Sequence, residues 1–162
     1  MGMRTLMRVL CAVVAGAGLV VGAGSPAGAG GVSLAPEADL AYHGYVSMAD
    51  GRVDVRLTPR NHGPSAVTDA TVRLRWSVAL ADRQSLPGGC ARADARAVVC
   101  RTGELAADGL GEEIRLAVRL RGAPAEVMLE FETVWGGGAV DGNRANDRQR
   151  VLVLDTGDSY VF

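Results

Sequence analysis

Thr71-Val72-Arg73-Leu74-Arg75-Trp76-Ser77-Val78 decides the fold. In an extended chain Val72, Leu74, Trp76 and Val78 fall on one side and Arg73, Arg75 and Ser77 on the other, the two-residue period of a half-buried strand. Trp76 reads as a core anchor. Helical periodicity appears over no comparable length, so the stretches on either side are read against the same template.

Working towards the N-terminus, Leu40, Tyr42, Val46 and Met48 share one face of a strand interrupted at Gly44. Asp50-Gly51 supplies the positive backbone angles of a tight hairpin turn. A second strand follows, with Val53, Val55 and Leu57 inward and Asp54 and Arg56 outward, and is expected to end at Pro59, which cannot donate to a ladder. Asn61-His62-Gly63-Pro64-Ser65 is a loop by composition.

Towards the C-terminus, Pro87-Gly88-Gly89 turns the chain, and the segments around Cys90 and from Ala97 to Arg101 read as a short strand pair. One helical turn is expected around Leu105, between Gly103 and Gly111. Ile114, Leu116, Val118 and Leu120 then face inward opposite Arg115, Arg119 and Arg121. After Gly122-Ala123-Pro124 the alternation resumes, with Val127, Leu129 and Phe131 inward and Glu126, Glu130 and Glu132 outward. This reads as a hairpin pairing Arg121 with Glu126 and Arg115 with Glu132, an outer ladder of opposite charges. A last strand spans Arg150 to Leu154. Short strands separated by turns, without crossover helices, predict an all-β, immunoglobulin-like antiparallel β-sandwich.

The first twenty-nine residues carry an address. Arg4 and Arg8 open them, Val9 to Val21 is apolar and glycine-rich, and Ala27-Gly28-Ala29 offers a cleavage site, so 1–29 reads as a signal peptide. The run is shorter than the ~20 apolar residues that span a bilayer. Cys11 lies inside it and is expected to leave with it. The expected organisation is signal peptide 1–29, linker 30–38, sandwich 39–155 and tail 156–162. The expected location is secreted, extracellular or cell-wall associated, with no membrane span in the mature chain.

Cleavage leaves 15 basic against 18 acidic residues, a balance of −3, which gives no reason to expect nucleic acid as a partner. Every basic residue is Arg and none is Lys; with abundant Gly and Ala, this reads as the codon bias of a GC-rich bacterial genome. Cys90 and Cys100 remain in a compartment where disulfides persist, and their bonding is expected. Closing that short loop removes roughly 3 kcal/mol of denatured-state entropy. Because both follow Trp76 and lie close together, the bond should be a local staple rather than an inter-sheet bridge. His43 and His62, the only histidines, lack zinc-site spacing.

Taken in order, Asn61-His62-Gly63-Pro64-Ser65, Gly89-Cys90, Val99-Cys100-Arg101-Thr102-Gly103-Glu104-Leu105, the strand from Ile114, and Asp141-Gly142-Asn143-Arg144-Ala145-Asn146-Asp147 resemble the bacterial surface-protein repeat catalogued as domain of unknown function eleven. The resemblance covers roughly Asp39 to Leu154. It implies an immunoglobulin-like sandwich in secreted or wall-associated proteins, often in tandem, with no established activity. This chain departs from the pattern in having one copy, Asp147 where a second Asn is usual, and an extra tail.

Candidate chemistry is sparse. Asp155-Thr156-Gly157 matches the aspartic-protease triplet, but that chemistry needs two carboxylates sharing a proton and a body built largely after the triplet. No Gly-x-Ser-x-Gly elbow is present; without Lys there is no Ser-Lys dyad or Schiff base. Asp141, Asn143, Asn146 and Asp147 are oxygen-rich enough for calcium, yet lack the EF-hand spacing, and an Asx-rich turn explains them more simply. Arg73, Arg75, Arg115, Arg119 and Arg121 either line one sheet face for an anionic polymer or are paired with the neighbouring glutamates. Tyr160 and Phe162, on an apolar tail, either dock on their own domain or add to a partner's sheet.

The expected function is therefore that of a secreted, non-enzymatic interaction or structural module of the cell envelope, with no cofactor. Its partner would be an extracellular protein or a cell-wall polymer. A carbohydrate- or anionic-polymer-binding module is the alternative.

Overall fold

The computed structural model describes residues 35–162; the expected signal peptide 1–29 and most of the expected linker lie outside the described residues. Among these the chain forms β1 (Glu37–Ala38), β2 (Leu40–Ala49), β3 (Arg52–Asn61), β4 (Thr71–Trp76), β5 (Cys90–Arg92) and β6 (Ala97–Arg101). There follow β7 (Gly109–Leu110), β8 (Ile114–Arg119), β9 (Glu126–Trp135), β10 (Val140–Asp141), β11 (Arg148–Leu154) and β12 (Ser159–Val161). No helix occurs among the described residues.

One sheet has the order β11-β9-β4-β6-β5; the other runs β12-β2-β3, with β7 and β8 both paired to β3. Apart from the short parallel pairing of β1 with β10, every pairing is antiparallel. The chain switches sheets after β3, β6, β8 and β11. Grouping the first, second and fifth long strands against the third, sixth and seventh is the immunoglobulin-like arrangement.

The inward faces close on one another as the alternation required. Tyr42, Val46 and Met48 of β2, Val53, Val55 and Leu57 of β3, and Leu116 and Val118 of β8 meet Val72, Leu74 and Trp76 of β4 and Val127, Leu129 and Phe131 of β9. Cys100 faces the same core and is bonded to Cys90, directly opposite it on β5. The disulfide joins neighbouring strands of one sheet, the local staple expected. Ala38, Leu40, Val67, Ala70 and Leu105 form a smaller second core.

Three local expectations need correction. The strand expected to end at Pro59 instead runs to Asn61. The hairpin Asp50-Gly51, with φ of 52° and 68°, sets the pairing parity, and Tyr42↔Pro59 is a non-hydrogen-bonded position. The prolyl nitrogen therefore points away from β2 into the gap between β7 and β8, where no ladder partner needs it. Gly103 to Gly111 contains no helical turn; Leu105 exchanges both backbone hydrogen bonds with Val67 at 2.8 Å. The predicted hairpin of 114–120 with 127–131 does not form. β8 pairs with β3 and β9 with β4 and β11, so the Gly122-Ala123-Pro124 segment crosses between sheets.

Sheet pairing also extends beyond both expected limits of the sandwich. β1 precedes residue 39, and the tail contributes β12, which pairs with β2. Gly44 and Phe162 exchange backbone hydrogen bonds at 3.1 Å, and the Phe162 ring stacks on Phe131 with centroids 4.2 Å apart. Any Cβ on Gly44 would lie 1.8 Å from the Arg56 carbonyl oxygen, so the glycine that breaks the apolar alternation is what lets three chain segments meet there.

Candidate functional site

The five arginines expected on one face are divided between two. Arg73 and Arg75 lie on the outer face of the β4-containing sheet, Arg115 and Arg119 on the outer face of the other, and Arg121 just beyond β8. On the first face β9 runs between β4 and β11, so Glu132 sits between Arg73 and Arg148, and Glu130 between Arg75 and Arg150. Arg73 and Arg148 both pair with Glu132, Arg150 pairs with Glu130 at 2.9 Å, and Arg75 pairs with Asp94 at 2.8 Å. Burial opposes ionisation of Glu132, but the hydrogen bond and charge of Arg73, reinforced by Arg148, outweigh it and lower its pKa. This face is a closed ladder of ion pairs, in which Arg73 meets one of the neighbouring glutamates as the paired alternative had it. Arg115 and Arg121, which lie off this face, pair with Glu113 and Asp82 rather than with Glu132 and Glu126.

The opposite face is unlike it. Arg56 stands directly across from Arg115 and Arg52 directly across from Arg119 on the paired strands β3 and β8. Like charges at facing positions destabilise a sheet. All four side chains are exposed. Between them lies the row Ser159, Ser47, Asp54 and Ala117, one residue from each of β12, β2, β3 and β8. Their small size turns the row into the floor of a groove of about 760 Å³, with Tyr45, Arg56 and Arg115 on one wall and Arg52 on the other.

The groove continues past β8, sharing Arg52 and Ala117 with a second depression of about 540 Å³ lined also by Arg83, Gln84 and Arg119. The Gln84 amide fixes that border by donating to the Arg119 carbonyl at 2.8 Å and accepting from its N–H at 2.9 Å.

Charge within the groove is unevenly spent. Arg52 folds onto Asp54, donating from Nε and Nη2 at 2.8–3.2 Å; hydrogen bonding, then the carboxylate's charge, raises the Arg52 pKa. Arg115 pairs with Glu113. Among the described residues Arg56, Arg83 and Arg119 make no ion pair. Arg56 was not among the candidate binding residues read from the sequence. Strand parity placed Arg56 outward, but only the β3–β8 pairing sets it against Arg115.

The remaining candidates fall into place individually. Tyr160 and Phe162, the possible binding residues of the apolar tail, are half-buried and pack against the main core, because β12 aligns them with inward positions of β2. Asp141 accepts from the N–H groups of Asn143 at 2.9 Å and Leu40 at 3.2 Å, and Asn143 accepts from that of Ala145 at 3.4 Å, as in an Asx-rich turn. Asp147 is 1% exposed; neither of its carboxylate oxygens, nor Asn146 Oδ1, has a hydrogen-bond donor. Arg144 Nε approaches Asp147 to 3.6 Å. Burial pushes the Asp147 carboxyl up, Arg144 opposing and Asp141 reinforcing.

Beside it, the Tyr42 hydroxyl meets Thr133 Oγ1 at 2.6 Å; burial raises it to about 12 despite that bond. Among the described residues no three Asp, Glu, His or Cys side chains converge as metal ligands. Asp155 follows β11 at a turn, and His43 and His62 are exposed. Comparison with protein families, curated proteins and solved structures finds no match to this chain.

Proposed function

We propose that this protein is an exported, non-enzymatic β-sandwich that serves the cell envelope as a binding module, and that the groove across β2, β3 and β8 takes an anionic ligand. The observation that carries the reading is the facing of Arg56 with Arg115 and of Arg52 with Arg119. A sheet gains nothing in stability from such pairs, whereas a bound anion converts the repulsion into attraction. The other outer face, rich in the same residue type, has its charge cancelled and supplies the internal control.

Placement outside the cell rests on the N-terminal address and the disulfide. Kinship with the surface-protein repeat is part of the proposal. It is supported by the Asn-x-Gly-Pro turn, in which Asn61 holds the loop together: its Oδ1 accepts from Asp39 and Gly63, and its Nδ2 donates to Ser65 and Ala106.

Retention on a sulfated or carboxylated polymer resin tests the binding reading. Arg56→Ser with Arg119→Ser should elute at clearly lower salt than the unaltered protein, and Arg73→Ser with Arg75→Ser close to it. Equal loss from the two double variants would mean that bulk charge rather than the groove is responsible, and the reading would fall.

A further inference from the structure

The arrangement of charge along the groove says more about the ligand than its sign, provided that the groove is the anion site proposed above. Arg52 and Arg56 are four residues apart on β3, as are Arg115 and Arg119 on β8, so the two facing pairs are separated by about 13 Å of strand. Asp54 stands midway between them on β3. Its carboxylate is held by Arg52, so the centre of the groove carries a closed ion pair with no net charge.

Cationic capacity is therefore concentrated at two stations. One is Arg56, beside the Arg115–Glu113 pair; the other is Arg119 with Arg83, beyond the Arg52–Asp54 pair. Between and beside them the surface is neutral and hydroxylated: Ser47 and Ser159 lie on the floor, and Tyr45, 52% exposed, stands next to Arg56 in the same row. An anionic group placed at the centre would meet the Asp54 carboxylate. A neutral polyol or sugar unit would meet hydroxyl groups and an aromatic face.

We infer that the groove selects a linear polymer whose anionic groups are separated by neutral hydroxylated units, and discriminates against a polymer bearing charge on every unit. Carboxylate and phosphate satisfy the same requirement, since either accepts the hydrogen bonds of paired guanidinium groups. Asp54 is the specificity-determining residue: by holding Arg52 in a closed ion pair it keeps that side chain from acting as a third station at the centre.

The full chain, titrated by calorimetry with two oligosaccharides carrying equal numbers of carboxylates, tests this. One alternates glucuronate with N-acetylglucosamine; the other is an unbroken oligogalacturonate. The alternating oligomer should bind about tenfold more tightly, and Asp54→Ser, at an exposed position, should close the gap by strengthening the unbroken one. Equal or tighter binding of the unbroken oligomer by the unaltered protein overturns the spacing inference and leaves the anion site standing. If neither oligomer binds, the anion site falls and the inference with it.

Discussion

Asn61 is fully buried and uses all four hydrogen-bonding positions of its amide, tying the strand end to the Gly63–Ser65 turn and to Ala106. Asn61→Ala would leave two buried N–H groups and two carbonyls without that partner. Chemical denaturation should show a loss of about 2–4 kcal/mol; a loss within error of zero would mean water replaces the amide. Asp147 presents the reverse case. Its pKa is higher in the fold than in the unfolded chain, so the folded state holds its proton to higher pH. The group's contribution to stability falls as pH rises from the unfolded pKa through the folded one. Asp147→Asn keeps the uncharged shape and should raise Tm at neutral pH by roughly 2–5 °C, with less gain at pH 3. An equal gain at both pH values would refute the account.

At the scale of the element, the tail is the clearest case. β12 covers the outer edge of β2, and Phe162 closes the core over Phe131. Removing 156–162 should lower Tm and expose an unpaired edge. Phe162→Ala alone should cost about 2 kcal/mol, less than a fully buried ring because Phe162 is only half-covered. Unchanged melting in both would show that the tail contributes nothing to this domain.

The inward faces were legible in the sequence because burial imposes the two-residue period directly; Val72, Leu74 and Trp76 could be assigned without knowing any partner. Partners were less legible. Glu130 and Glu132 complement Arg115 and Arg119 as well as they complement Arg73, Arg75, Arg148 and Arg150, and alternation states which way a side chain points, not which sheet its strand joins. That ambiguity hid the groove, whose like-charged pairs exist only once β8 lies beside β3. Leu105 was misread for a related reason: a single bridge to Val67 leaves no periodic signal in so short a segment.

Across the whole molecule, four changes of sheet mean that nearly every ladder except the β2–β3 and β5–β6 hairpins joins distant parts of the chain. Refolding should accordingly occupy milliseconds to seconds, and stopped-flow mixing resolving only microsecond relaxation would contradict the topology. The outer faces also differ in electrostatic character, one self-neutralised and one open, although the chain's overall balance is near zero. The two tryptophans fall at opposite extremes of environment: Trp76 is 1% exposed within the sandwich and Trp135 is 50% exposed at the end of β9. Emission from the native protein should thus contain a blue component shielded from acrylamide and a red one readily quenched by it, so one optical experiment can distinguish loosening of the interior from events at the rim.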